Sequence, residues 1–391
     1  MKNVRFGIIG TGNMGTAHAA CLYDNQIEGA TLTALCDIRP ERIEYCKQSY
    51  SNVRLFDDYK KLIDSGCVDA VIVATPHPLH AQIAIYALRS GLHVLSEKPI
   101  DISVTKAREL NRVALSSGKV FGIMFNQRTN ELFFRAREIV QSGYLGELKR
   151  SVWVITNWYR TQHYYDSGDW RATWAGEGGG VLLNQAPHNL DLWQWICGMP
   201  VSIRAVCDVA KYHNIEVEDD ATIFARYKNG ATGVFITSTG EFPGTNRLEI
   251  SGDRGKLVIE NGVLKWWKLS CPERKFCFEC EQSFAEIPTE YTEIKSNSKE
   301  SAHPGILRNF TRSILYGEPL LAPGADGINE LSISNAAYLS SWKGGAEIAL
   351  PLDGEEFDRL LEERKKDAEK KGGNAAFSGS HEYSKRWQVN W

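Results

Sequence analysis

At 391 residues the chain exceeds the length at which one hydrophobic core keeps growing, so two domains are expected. A net charge of −3 without a long basic run leaves no electrostatic footprint for nucleic acid or an anionic membrane. Nine cysteines without a repeating spacing, no apolar stretch of membrane-spanning length and no secretory leader after Met1-Lys2-Asn3 lead us to expect a cytoplasmic protein with reduced thiols.

The first third alternates short apolar runs with helical-period segments. Val4 to Ile9 reads as a buried strand, followed by a helix from about Asn13; Thr31 to Cys36 is a second strand and Arg42 to Ser49 is helical. Ala70 to Val73, His93 to Leu95 and Val120 to Met124 are further strands, separated by helices beginning near His77 and Val104. Strand–helix alternation at this spacing implies right-handed crossovers and a parallel, doubly wound α/β sheet, assigned to residues 1–125. After about residue 145 strands follow one another without helices: Leu148 to Trp158, Val201 to Ala210, Ala221 to Tyr227, Ala231 to Thr239, Arg247 to Ser251 and Lys256 to Glu260. Runs of this kind suggest an antiparallel sheet, so residues 126–352 read as an α+β domain. Cys271 to Ser301 looks irregular. Helical character returns over His303 to Tyr316 and Asp326 to Trp342, and residues 353–391 read as a solvated charged helix with a loosely held polar end.

Gly10-Thr11-Gly12-Asn13-Met14-Gly15 is a G-x-G-x-x-G between a strand and a helix. Gly10 permits the tight turn, Gly12 lets the backbone approach a pyrophosphate, and Gly15 allows close helix–strand packing. The helix N-terminus offers free N–H groups and a positive dipole end to the phosphates. Asp37 closes the next strand at the distance expected for binding the adenosine ribose hydroxyls, with Ile38 and Arg39 beside it. A carboxylate there favours NAD; Arg39 softens that rule and leaves NADP open.

Ligands of open parallel sheets sit beyond the carboxyl ends of the strands, and three later strand ends carry notable chemistry. Ala74-Thr75-Pro76-His77 with His80 forms one rim, Glu97-Lys98-Pro99 a second, and Asn126 with Arg128 a third. A partly desolvated Lys98 beside an oxidised nicotinamide would have a lowered pKa. It then either transfers a proton or orients a substrate hydroxyl; the plainer alternative is a surface lysine paired with Glu97. In the second domain Gly178-Gly179-Gly180 reads as a flexible turn before a helix. Asn184, His188 and Asp191 follow at spacings of four and three, sharing one face that is either functional or a hydrogen-bonded core stripe. Just upstream lies a segment rich in groups that stack on sugar faces and bond hydroxyls, from which Tyr159, His163, Trp170 and Arg171 are taken as substrate-binding candidates. Cys271, Cys277 and Cys280 lack a second pair at zinc spacing, and no metal is assigned.

In combination, the Gly10–Gly15 turn, Thr75-Pro76 with His80, Glu97-Lys98-Pro99 and the run from Gly178 to Asp191 resemble the Gfo/Idh/MocA oxidoreductases over roughly residues 1 to 350. The resemblance implies a Rossmann domain and a second domain with a large, mostly antiparallel open sheet, often packed sheet to sheet in homo-oligomers. It implies hydride transfer between bound NAD(P) and a hydroxyl-bearing carbon of a sugar, glycoside or cyclitol. Lys98 would sit by the reacting hydroxyl, and Glu97 and Pro99 would shape the cofactor site. The family commonly has aspartate and histidine at the positions of Asn184 and His188, and glycine at that of Ala186. Asparagine takes no proton, which leaves His188 and Lys98 as the acid/base pair, with Asn184 holding a substrate hydroxyl. Two other readings stand beside the dehydrogenase: a glycoside-cleaving enzyme using transient C3 oxidation and elimination, and a non-enzymatic NAD-sensing protein.

Overall fold

The computed structural model describes residues 3–296 and 302–370. The chain opens with β1 (Val4–Ile9), α1 (Asn13–Tyr23), β2 (Ala30–Cys36), α2 (Pro40–Ser49), β3 (Arg54–Phe56), α3 (Tyr59–Ile63), β4 (Ala70–Val73), α4 (His80–Arg89), β5 (His93–Ser96), α5 (Val104–Ser117) and β6 (Phe121–Ile123). The strands form one parallel sheet in the order β3-β2-β1-β4-β5-β6. Phe6, Ile8, Val71, Ile72, Val73, Val94 and Leu95 are fully buried, because helices cover both faces, and this is why these strands read as continuous apolar runs. Chain order reverses between β1 and β4, which opens the crevice where such sheets bind ligands. β3 and α3 escape the sequence pattern. β3 is three residues long and exists as the partner that Ala34 to Cys36 find at the sheet edge, and the Asp58 side chain caps α3 by accepting from the amides of Lys60 and Lys61.

The second half comprises α6 (Glu131–Gln141), β7 (Leu148–Ile155), α7 (Gln162–Asp166), α8 (Pro187–Cys197), β8 (Ser202–Val209), β9 (Glu218–Arg226), β10 (Thr232–Ser238), β11 (Asn246–Gly252), β12 (Gly255–Glu260), β13 (Val263–Leu269), α9 (Glu273–Glu279), β14 (Thr289–Lys295), α10 (Ala302–Tyr316), α11 (Gly327–Trp342), β15 (Ile348–Ala349) and α12 (Gly354–Lys370). Its nine strands run β14-β13-β12-β11-β7-β10-β9-β8-β15, antiparallel except for the β7–β10 pair. The segment expected to be irregular contains α9 and the edge strand β14, which pairs with β13 from Val263↔Lys295 to Leu269↔Thr289. Period-two polarity there leaves both faces largely exposed, so apolar patterning gives no signal. One sheet face is covered by α6, α8 and α11 over Trp153, Phe235 and Trp193. Gly233 is required beneath Trp193, whose ring would lie 2.6 Å from an added Cβ.

The expected division at residue 125 is crossed in space. Phe310 of α10 packs on Phe6 of the first sheet (ring centroids 6.2 Å apart), and the Ile123 amide donates to Ala322 O at 3.1 Å. Asn335 of α11 clamps the chain after β5: its Oδ1 accepts from Val104 N and its Nδ2 donates to Ile102 O, both at 3.1 Å. The tail helix is also not the solvated element expected. Phe357 and Leu361 of α12 are buried, Phe357 stacks on Trp342 and the Arg364 guanidinium lies 4.0 Å from the Trp342 ring centroid. The charged residues that suggested solvation form the outer face of an amphipathic helix; the polar end from 371 onward lies outside the described residues. Among the described residues no helix is long and apolar enough to cross a membrane.

Candidate active site

The glycine turn joins β1 to α1. Gly10 has φ +91°, and a Cβ there would lie 2.5 Å from Ala74 O; a Cβ on Gly15 would lie 1.9 Å from Gly10 O. Both glycines are therefore demanded by close backbone approach. At Gly12 an added Cβ would meet nothing within 4 Å, and Gly12 caps α1 without a side-chain hydrogen bond, so the amides at the helix start face open space. Asp37 is buried and ties this turn to β2, accepting from Thr11 N and Thr11 Oγ1 (both 2.9 Å) and from Arg39 N (3.0 Å). Burial pushes its carboxyl up, but the amides of Thr11 and Arg39 outweigh this and hold it below the usual range. Ile38 next to it is exposed. Arg42, absent from the sequence reading, donates to Thr11 O and to Thr16 Oγ1 (2.7 Å), bracing the turn from α2.

At the rim of the same sheet, Thr75 Oγ1 after β4, Asn126 Oδ1 after β6 and His188 Nδ1 on α8 are buried without a hydrogen-bond partner among the described residues. Orphaned buried polar atoms call for an occupant. Together with the open space at Gly12 they fit a dinucleotide lying along the strand ends, with Gly10 to Gly15 and Asp37 at its adenosine side and Thr75 and Asn126 at its nicotinamide side.

Glu97 and Lys98 are not a surface ion pair. Glu97 Oε1 meets His18 Nε2 of α1 at 2.7 Å; burial raises its carboxyl, yet the His18 bond and the charges of His18, Lys98 and His303 bring it down to about 2. Lys98 Nζ donates to the backbone carbonyl of Asn184 at 2.6 Å, linking the two domains. Burial lowers the ammonium's pKa, opposed by Glu97, Glu330 and Glu177 and reinforced by Arg171. Pro99 follows through a cis peptide bond. His18 and His303 escape sequence reasoning. His303 Nδ1 accepts from Asn126 Nδ2 at 3.4 Å and its ring lies 5.6 Å from that of His18, a meeting of α1, α10 and the β6 end that no local spacing announces.

The expected shared face of Asn184, His188 and Asp191 is not formed. α8 begins at Pro187, so Asn184 lies in the preceding turn, where its Nδ2 donates to Glu177 Oε1 and its Oδ1 accepts from Tyr164 Oη at 3.5 Å. Asp191 turns to Arg128, accepting at 2.8 and 2.7 Å. His188 remains beside Lys98, half-buried, with its ring 6.5 Å from that of Phe125. Burial and the Lys98 charge pull its pKa down to about 3, so the imidazole is neutral at ordinary pH. The three glycines are not a flexible turn either: Cβ atoms on Gly179 and Gly180 would lie 2.2 Å from Tyr338 Oη and 1.9 Å from Glu218 O.

Four other candidates change role. Arg128, assigned to the cofactor from its strand-end position, is 1% exposed and spends its guanidinium on Asp191, Asp326 and Leu321 O; it holds α8 and the 321–326 segment together. His80 sits between Pro99 O and Thr75 O, each 2.7 Å from a ring nitrogen, so it braces two strand-end turns instead of facing a ligand. Tyr159 and His163 are exposed. Tyr159 packs on Phe242 and lines a surface pocket with Arg160, Thr161, Tyr212 and His213. The residues that do converge are Tyr164, Trp170 and Arg171. Arg171 donates to Tyr164 Oη at 2.8 Å and stacks on both rings, and Trp170 meets His77, whose Nδ1 lies 3.1 Å from Glu177 O. Tyr164 belongs to the substrate-like segment but was not among the chosen candidates, and Glu177 was not singled out in the sequence. Glu177 precedes the glycines and has no periodicity to distinguish it.

Fold and site define an NAD-binding Rossmann domain joined to a mixed-sheet domain where Lys98 meets Asn184. Residues 4–125 match the description "Oxidoreductase family, NAD-binding Rossmann fold", and residues 133–258 match "GFO/IDH/MocA C-terminal domain". The chain belongs to the GFO/IDH/MocA oxidoreductase family. It is 25% identical over 345 residues to myo-inositol 2-dehydrogenase of Thermotoga maritima, covering 86% of this chain and 96% of that one. Its fold is similar to the WlbA dehydrogenase of Bordetella pertussis, solved with NADH and UDP-GlcNAcA (TM-score 0.76, 24% identity, 90% of this chain and 100% of that one). It is also similar to a levoglucosan dehydrogenase solved with NADH and L-sorbose (TM-score 0.73, 22% identity, 90% and 100%).

Proposed function

We propose that the protein is a dehydrogenase that uses NAD to oxidise a secondary hydroxyl of a sugar, glycoside or cyclitol. The observation that carries this reading is the half-buried Lys98 ammonium, fixed by the Asn184 carbonyl beside a neutral His188, at the strand ends of an NAD-binding sheet. The named activities of its relatives on inositol and levoglucosan support the substrate class. Bound NAD supplies the hydride acceptor. His188, neutral in its surroundings, is the side chain assigned to take the hydroxyl proton; the burial that draws its pKa down also weakens it as a base, so the transfer depends on Lys98 acidifying the hydroxyl. Lys98 donates a hydrogen bond to the same oxygen and stabilises the charge that grows on it. Tyr164, Trp170 and Arg171 offer an aromatic floor and hydroxyl-bonding groups for a ring with polar edges. The Asp37 carboxylate favours NAD over NADP, because it would repel a 2′-phosphate. The test is purified protein with NAD and a panel of inositols, sugars and glycosides, following absorbance of the reduced nicotinamide. Absence of turnover on every member, with NAD binding intact, overturns the reading.

A further inference from the structure

We propose that Glu177 is a positioning residue that supplies, from just before the glycine turn, the carboxylate this chain lacks at position 184, and that it acts through the Asn184 amide on the substrate pocket and on Lys98. Glu177 is 1% exposed. One carboxylate oxygen accepts from Ala172 N at 2.7 Å and the other from Asn184 Nδ2, while its backbone carbonyl meets His77 of the first domain. A carboxylate can face only the N–H side of an amide, so Glu177 decides which way Asn184 points. The amide oxygen is thereby turned to Tyr164 Oη. Tyr164 in turn accepts from Arg171 at 2.8 Å and from Gln185 at 3.4 Å, which leaves its own proton for Asn184 Oδ1. The result is a directed chain from the Arg171 cation through Tyr164 and Asn184 to the Glu177 anion. Asn184 therefore presents an acceptor, as an aspartate would, with the negative charge displaced by one side chain.

The same residue reaches Lys98 by a second route, because the Asn184 backbone carbonyl receives Lys98 Nζ. Lys98 is faced by Glu97 on its own strand end, Glu177 and Arg171 on the 157–186 segment, Glu330 on α11 and His188 on α8. Glu97, Glu330 and Glu177 oppose the effect of burial on Lys98, although burial also pushes the carboxyls of Glu330 and Glu177 up, and Glu177 is the one of the three bonded to the residue that holds Lys98.

This inference rests on the dehydrogenase reading for its catalytic readout but not for its second measurement. Glu177→Gln keeps the volume and loses the charge. Titration of Lys98 by NMR, in protein labelled at the lysine ε-carbon, is expected to show its pKa fall by an amount on the order of one pH unit or less, with or without substrate. Asn184→Asp sets two carboxylates together with no proton donor between them, and kcat/KM is expected to drop about tenfold or more. The exchange Glu177→Gln with Asn184→Asp restores a donor opposite an acceptor and is expected to regain most of that loss and the wild-type Lys98 titration. An unchanged Lys98 titration in Glu177→Gln, or a double variant no better than Asn184→Asp alone, overturns the inference. If Glu177→Gln alone does not fold, the double variant decides: folding with a wild-type Lys98 titration supports the exchange, and failure to fold overturns it. Wild-type protein that binds NAD but oxidises nothing overturns the dehydrogenase reading instead and leaves the Lys98 titration to judge Glu177.

Discussion

His188 is neutral because of where it sits: its pKa is drawn down to about 3 by burial and by the Lys98 charge. His188→Ala is expected to lower kcat by about 10²- to 10⁴-fold while NAD binding, read by calorimetry, stays close to wild type. No limb of the kcat/KM profile is expected at the ordinary imidazole value in the wild-type enzyme, since the group is already deprotonated there. Glu97 is also shifted down, which in a carboxyl favours the charged form. Its folded pKa of about 2 lies below the ordinary 4.5, so its contribution is complete above pH 4.5 and is lost as pH falls towards 2. Thermal unfolding followed from pH 7 to pH 3 is expected to show a steeper acid loss for wild type than for Glu97→Gln, by about 2 kcal/mol. Equal slopes would mean that the His18–Glu97 contact does not hold in solution. At this scale the sequence picked out Lys98 and His188 as an acid/base pair, and in the structure the Lys98 charge acts on His188. It missed His18 and Glu177, because a residue's hydrogen-bond partner from another element leaves no mark in local spacing.

At the scale of elements, period and glycine placement were the readable signals, and they succeeded where a buried face or a backbone contact imposed them. β1, β2, β4 and β5 are apolar on both sides because both faces are covered, and Gly10 and Gly15 are fixed by backbone oxygens at 2.5 and 1.9 Å from their absent Cβ atoms. The helical reading of Asn184, His188 and Asp191 failed because spacing of four and three is necessary for a shared face but does not say where a helix begins; Pro187 at the first helical position begins it after Asn184. α12 was misjudged for a related reason. Its charges outnumber its apolar residues, yet Phe357 and Leu361 fall on one stripe against Trp342 and α5. Phe357→Ala is expected to destabilise the protein by about 3 to 5 kcal/mol in denaturant unfolding. A loss below about 1 kcal/mol would show that α12 is detached in solution.

For the whole molecule, the contacts between the two halves are where binding and stability meet. Lys98 bonded to the Asn184 carbonyl and Asn335 bonded to Val104 and Ile102 join the halves, so a ligand seated at the strand ends should stabilise the whole fold. NAD at about 100 times its Kd is expected to add about 2.7 kcal/mol, read as a rise in Tm, with a smaller rise for NADP at equal concentration and a loss of the preference in Asp37→Ala. Equal rises for both cofactors would remove Asp37 as the discriminator. The sequence by itself determined the cofactor turn and the parallel, doubly wound character of the first sheet, because each depends on local backbone sterics or on apolar period, while the family was read from the resemblance of its motifs. Only the tertiary structure decided that Arg128 and His80 brace the scaffold, that Glu177 reaches Asn184, that α10 packs on β1 and that α12 packs on α5 and α11. Those outcomes depend on which charges and ring nitrogens meet across elements distant in the chain, and burial, by penalising any that stay unpaired, selects the partners.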